Sequence, residues 1–308
     1  MNAQKVLFCR QFDRYSGGHQ KVFDYYSHLN SVKKYQADIW FSEDSAWDDA
    51  NPWFPDCQRV NFLPNQYNYL FLAGMDWDNY SLHDIDPEIP IINLIQHVRH
   101  ALPEENVNRF LKNKAIRVCV SAEVHSAIKD LANGPVTTIE NGICVPEINS
   151  AKTCELFISG YKNPPFARML AEKLNAVVQT DYLPRDELLH QLASARIALV
   201  LPHETEGFFL PALEAMQLAD IAIVPDCVGN RSFCNDIENA NGNCLMPRYD
   251  YQEVVNAIHR AKAMLSNTQV MHRIKRNVLM TAKEHSLSRE REKFLQLMSH
   301  VDELWNAG

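Results

Sequence analysis

No apolar run in the 308-residue chain approaches the ~20 residues that a helix needs to cross a bilayer. The first ten residues have no apolar h-region of the secretory kind and run into a strand pattern instead. The expected location is therefore the cytoplasm, with peripheral contact at the inner face of the membrane left open. Cations are also scarce: 30 Lys and Arg stand against 38 Asp and Glu, a formal net charge of -8. That balance argues against a nucleic-acid partner, whose phosphates need clustered Lys and Arg. The eight cysteines show no C-x-x-C spacing, and several fall in predicted strands. They read as reduced, buried apolar side chains rather than as zinc ligands or a disulfide framework. No internal repeat or low-complexity segment occurs. No Asp-x-Asp element stands at the end of a predicted strand; Asp76-Trp77-Asp78 has the letters but reads as loop acids.

What is present describes an ordinary globular α/β protein: 46% hydrophobic and 22% charged residues. The length predicts two domains, each of roughly 150 residues. In the first half, apolar runs predict strands over 5–10, 37–41, 69–73, 89–96 and 115–121. Helices are expected over 19–29 and 122–131, and irregular chain over 42–68, which is rich in Asp, Asn, Pro and aromatics. Gly17-Gly18 closes the turn between the first strand and its helix, an arrangement that lets backbone approach a ligand. His97-Val98-Arg99-His100 directly follows the strand over 89–96, at the strand end where a doubly wound sheet places its site. Asn141-Gly142 is a turn signal, and 145–152, with Pro146, reads as a linker.

The second half opens with a strand over 155–159 and the turn Gly160-Tyr161-Lys162-Asn163. A helix carrying Phe166, Met169, Leu170 and Leu174 on one face is expected next, then a strand over 176–179 and a helix over 185–193. The chain is organised around 199–226, LVLPHETEGFFLPALEAMQLADIAIVPD: buried strand, turn, helix, buried strand. Pro211 fits the first turn of that helix, and 212–218 are mostly strong helix formers. Further on, 241–246 reads as a strand, and 251–265 and 288–305 as amphipathic helices.

The stretch E-G-F-F-L-P-A-L-E-A-M, with Glu206 and Glu214 separated by seven residues, resembles the E-x7-E motif of retaining glycosyltransferases, and among them family 4. The resemblance implies an α/β protein with two Rossmann-like domains facing a cleft, the GT-B fold. Residues 1–148 would be the acceptor-side domain, 149–285 the donor-nucleotide domain, and 286–308 a helix packing back on the first. It implies transfer of a sugar from a nucleotide-diphosphate sugar to a hydroxyl of a glycan, lipid-linked glycan or other acceptor, with retention and without metal or other cofactor. A role in bacterial surface polysaccharide is the associated expectation. By the same resemblance Glu206 touches the donor sugar, Glu214 accepts from the ribose hydroxyls, and backbone N–H groups of Phe209 and Leu210 stabilise the departing phosphate. Gly207, Phe208, Gly229 and Asn230 border the donor, and Gly17 and Gly18 match a glycine loop that lies under the donor phosphates or beside the acceptor. His97 is the cleft histidine on the acceptor side, followed by Arg99 and His100.

Two positions depart from the family. Phe209 stands where a glycine is frequent, and Tyr161 where an arginine grips the diphosphate, leaving Lys162 nearby. Either Lys162 works with a cation such as Arg185 or Arg10, or helix N-termini carry more of the phosphate charge. A nucleotide-sugar epimerase or hydrolase of the same fold, and a non-catalytic sugar-nucleotide-binding subunit, are the alternative readings.

Overall fold

The computed structural model describes residues 3–80 and 85–307. The chain folds as two units, Met1–Asn141 with Leu287–Gly308, and Gly142–Ser286.

Unit 1 begins with β1 (Gln4–Arg10), α1 (Gly17–Asn30), β2 (Tyr35–Phe41) and β3 (Tyr69–Ala73). There follow α2 (Asp76–Tyr80), β4 (Ile91–Ile95), β5 (Ile116–Cys119), α3 (Ala122–Ile128) and β6 (Val136–Thr138). All pairings are parallel, in the order β2-β1-β3-β4-β5-β6. β3, β4 and β5 are buried along their whole length, as strands covered on both faces must be; β3 reads as a continuous apolar run, while β4 and β5 interrupt theirs with buried Asn93 and Arg117, which hydrogen-bond to each other. Strand order reverses direction between β1 and β3, which makes the loops after those two strands diverge and opens a crevice at their C-terminal ends. The Asp76–Asp78 triplet, expected as loop acids, opens α2 directly after β3; Asp76 is buried and Asp78 is paired with Arg109.

Unit 2 contains β7 (Cys154–Ser159), α4 (Pro164–Ala171), β8 (Val177–Gln179), α5 (Arg185–Ser194), β9 (Ala195–Val200), α6 (Leu210–Leu218) and β10 (Ile221–Ile223). Its sheet is parallel in the order β10-β9-β7-β8, with the reversal between β7 and β9. Two helices complete it, α7 (Tyr251–Met264) and α8 (Thr268–Glu284). α8 is absent from the expectations above, although Asn267 caps it by accepting from the Val270 N–H and Ile274 and Val278 stand at helical spacing.

Three expectations are corrected. The buried face of α4 is Ala167 and Leu170, whereas Met169 points outward. Residues 241–246 do not join the sheet as a strand; they touch it through a single bridge, Ile223 to Leu245, and a second bridge, Asp236 to Cys244, ties them to the loop before. The helix expected over 288–305 is two, α9 (Leu287–Met298) and α10 (Val301–Ala307). Ser299 Oγ donates to the Gln296 carbonyl at 2.7 Å and His300 Nδ1 lies 2.9 Å from it, so side chains take over the hydrogen bonds that would have continued the helix. Both belong to unit 1, where Phe294 of α9 meets Tyr25 of α1 edge to face at 4.6 Å.

Candidate active site

In unit 2 the chain leaves β9 through buried Leu201 and Pro202, turns outward at His203 and Glu204, and returns through Glu206, Gly207, Phe208 and Phe209 into α6. Glu206 is buried, 7% exposed, although it carries a carboxylate. Lys162 Nζ, from the loop after β7, lies 3.0 Å from its Oε1. The pair is out of line for a hydrogen bond, so Oε1 is a buried oxygen with charge compensation but no hydrogen-bond partner. Behind it, Gly229 packs on the Glu206 backbone so closely that a Cβ would stand 2.8 Å from both the Glu206 and Gly207 carbonyl carbons. Asn230, fully buried, donates to the Pro225 carbonyl at 3.2 Å, and its Oδ1 is also without a partner. Phe209 is the N-cap of α6 and offers no capping side chain; Pro211 has no N–H and Ala212 donates to the Phe209 carbonyl at 3.0 Å, so the first-turn N–H available to a ligand is that of Leu210.

Glu214, one turn into α6 and 5% exposed, has its Oε1 bound by Arg185 through Nε and a terminal nitrogen, each at 2.9 Å. Arg185, the first residue of α5, also donates to the Cys144 carbonyl at 3.0 Å. Burial pushes the Glu214 carboxyl above its ordinary range and Arg185 pulls it back; burial wins. Thus the structure brings Lys162, Glu206, Gly229 and Asn230 together, while Glu214 is held by Arg185 rather than presented bare. Tyr161 and Tyr182, on the loops after β7 and β8, are exposed and face each other edge on at 6.1 Å. Sequence reasoning overlooks Tyr249: it accepts from Asn163 at 3.2 Å and donates to the Pro202 carbonyl at 3.1 Å, tying the loop after β7 to the loop after β9. Its partners are 86 and 47 residues away, so no local pattern could reveal it.

Unit 1 gathers a second set of groups at its own crevice. Gly17 opens α1, and Gln96, just past β4, donates to the Gly18 carbonyl at 3.1 Å, clasping the helix start. His97 is half-buried at the head of a 3-10 helix (Val98–Ala101) and Arg99 is exposed. His100 turns inward, with Nδ1 at 3.0 Å from the His97 carbonyl, so it serves the loop's structure. Arg10 lies at the end of β1, in unit 1. It donates to Asp76 at 2.8 Å, and its other terminal nitrogen lies 2.9 Å from His19 Nδ1. An arginine only donates, so Nδ1 of His19 accepts and the proton of the neutral ring sits on Nε2, which points toward Asp13 at 3.9 Å. The two carboxylates of the Asp76–Asp78 triplet thus answer to different arginines, Arg10 and Arg109.

These pairings predict an acid dependence. Burial, helped by Arg10, lowers His19 from 6.5 to about 4, and burial likewise lowers His100 to about 4. The unfolded chain takes up these protons first, so stability is lost as pH falls from 6.5 toward 4, by roughly 3 kcal/mol per histidine at full titration. Asp76 has the opposite sign: burial raises it from 3.8 to about 6 against the pull of Arg10, and acidification returns roughly 3 kcal/mol. Unit 1 is expected to lose about 3 kcal/mol net over this interval. Urea midpoints at the two ends of the range should show the fall, and His100→Asn, which keeps a donor for the His97 carbonyl, should flatten it. An equally steep fall in the variant would refute the assignment.

A family model described as "Glycosyl transferases group 1" matches residues 143–263. This segment is a group 1 glycosyltransferase domain. The match spans β7 to α7, the part of unit 2 that holds Lys162, Arg185, Glu206, Glu214, Gly229 and Asn230. Among curated protein sequences no match is found. Solved structures are similar over nearly the whole length. Anabaena HepE in complex with UDP-glucose has TM-score 0.71 at 11% identity, over 96% of this chain and 99% of that one. A glycosyltransferase from Rickettsia africae ESF-5 has TM-score 0.69 at 10% identity, over 98% and 99%. A UDP-forming α,α-trehalose-phosphate synthase from Burkholderia vietnamiensis has TM-score 0.64 at 13% identity, over 97% and 98%. At such identities the likeness establishes the fold: the chain is a GT-B protein built of two Rossmann-like units, with the glycosyltransferase domain second.

Proposed function

We propose that the protein transfers a sugar from a UDP-sugar to a hydroxyl of a glycan or other acceptor, with retention and without a metal. The observation that carries this reading is Glu206, a buried carboxylate whose Oε1 faces Lys162 but has no hydrogen-bond partner, beside the uncapped start of α6, where a strand-order reversal opens the sheet. A neutral polyol can satisfy such an oxygen without the cost of burying another charge. Glu206 then contacts the donor sugar, and Gly207, Phe208, Gly229 and Asn230 form the wall beside it. Lys162 turns from Glu206 to the diphosphate. N–H groups of Phe209 and Leu210 face the departing phosphate, whose growing negative charge they stabilise together with the helix dipole. Glu214 and Arg185 act as one unit, the carboxylate toward the ribose and the guanidinium as the cation that the Tyr161 position lacks. On the acceptor side we place His97 and Arg99, with Gly17 and Gly18 as the close backbone approach. The leaving phosphate takes the acceptor hydroxyl's proton, so attack occurs on the face the nucleotide leaves.

UDP is chosen because HepE is seen with UDP-glucose and the trehalose-phosphate synthase is UDP-forming. The test is a thermal-shift screen of UDP-, GDP-, ADP- and dTDP-sugars on the wild type and Glu214→Ala. A donor at a hundred times its Kd stabilises by about 2.7 kcal/mol, a shift of several degrees. The expected pattern is a shift with UDP-sugars only, lost in the variant, and turnover that survives EDTA. No shift with any donor would sink the reading.

A further inference from the structure

We propose that the outward face of α8 docks on an anionic lipid bilayer. In a chain of net charge -8, these 17 residues carry Arg273, Lys275, Arg276 and Lys283 and a single carboxylate, Glu284, in the last position. At 100° per residue, His272, Lys275, Arg276, Leu279, Met280 and Lys283 fall within an arc of about 140°, and all six are exposed. Leu279 and Met280, 63% and 60% exposed, are the most exposed large apolar side chains among the described residues. The opposite face is spoken for: Ile274 and Val278 are buried, and Asn277 donates to the Ala240 and Gly242 carbonyls at 3.1 and 2.9 Å. The fold therefore needs one side of the helix only.

Several surface cations elsewhere on unit 2 have carboxylate partners: Arg260 with Glu238 at 2.8 Å, Lys262 with Glu155 at 2.7 Å, Arg248 with Glu253 at 2.7 Å; Arg168 and Lys173, like the α8 cations, have no ion pair among the described residues. Among the described residues no ion pair is recorded for Lys275, Arg276 or Lys283. A row of unpaired cations around two protruding apolar side chains matches the layering of an anionic leaflet, with headgroup phosphates outside and acyl chain just beneath. A nucleic acid would reward the cations but not Leu279 and Met280. A protein partner of ordinary size would need a broader or concave apolar surface than one convex helix face provides. This inference is independent of the glycosyl-transfer reading.

The experiment is co-sedimentation of the full chain with two kinds of vesicle, phosphatidylcholine alone and phosphatidylcholine with about one-third phosphatidylglycerol. Binding is expected to the anionic vesicles only, weakened by salt. Lys275→Glu with Arg276→Glu should lower the partition coefficient at least tenfold, and Leu279→Ser with Met280→Ser should remove the part that resists salt. Arg248→Glu, an exposed charge reversal elsewhere in unit 2, should leave binding within about twofold of wild type. All three variants should melt with the wild type, because none removes a buried contact. Equal binding to neutral vesicles, unchanged binding of the Lys275/Arg276 variant, or retention on heparin with no vesicle binding would each overturn the proposal.

Discussion

Glu290→Ala is expected to destabilise the protein by about 3–5 kcal/mol, the usual cost of removing one member of a buried ionic cluster. Glu290 stands on α9, 1% exposed, and its two oxygens receive Lys21 Nζ at 2.6 and 2.9 Å and His28 Nε2 at 2.9 Å. Lys21 is equally buried and keeps a second partner, Asp24, at 2.7 Å. Burial pulls the Lys21 pKa down, but Glu290 and Asp24 together hold it above its ordinary value, so the ammonium remains charged in the core. Without Glu290, the His28 ring loses its acceptor and Lys21 retains one carboxylate of two. The same cluster joins the last helices to α1, where Tyr25, Phe71 and Phe294 pack ring on ring. Urea denaturation of wild type, Glu290→Ala and Glu290→Gln measures the effect. The glutamine keeps the shape and one acceptor, so it should fall between the other two. A loss below about 1 kcal/mol for the alanine would mean that the cluster is compensated by water or rearrangement.

Gly229→Ala is expected to abolish donor-dependent turnover to within a hundredth of wild type. The added Cβ would meet the Glu206 carbonyl group and Gly207 at distances that real Cβ atoms do not tolerate. The neighbouring Asn230 is fully buried and tied to the Pro225 carbonyl, so the turn cannot back away. The Glu206 loop must move instead, and displacements near 1 Å in a reacting site cost on the order of a hundredfold in rate. Overpacking adds a stability loss of about 1–3 kcal/mol. Glu206→Gln is the companion variant: it leaves the backbone in place and tests the carboxylate itself. Donor-dependent turnover of Gly229→Ala within tenfold of wild type would remove the Glu206 loop from the site.

The order of strands and helices was legible because it is written locally. Parallel strands covered on both faces are predominantly apolar, which is why 69–73 and 89–96 stand out, and a first-turn proline with strong helix formers marks α6. The motif of Glu206 and Glu214 was legible for the same reason, since strand, turn and helix follow one another without interruption. α8 escaped because its exposed face mixes cations with Leu279 and Met280, which blurs the apolar stripe. The break at Ser299 and His300 escaped because side-chain bonds to a carbonyl leave no periodic trace.

Sequence alone determined that this is a two-part α/β chain with a carboxylate-bearing strand–helix junction in its second half. Only the tertiary structure decided which cation holds which carboxylate: Lys162 with Glu206, Arg185 with Glu214, Arg10 with Asp76, Lys21 with Glu290. Such pairs join residues from 29 to 269 positions apart. A charge in the chain does not specify its partner; the partner is set when packing removes water from both and leaves one arrangement in which neither is buried alone.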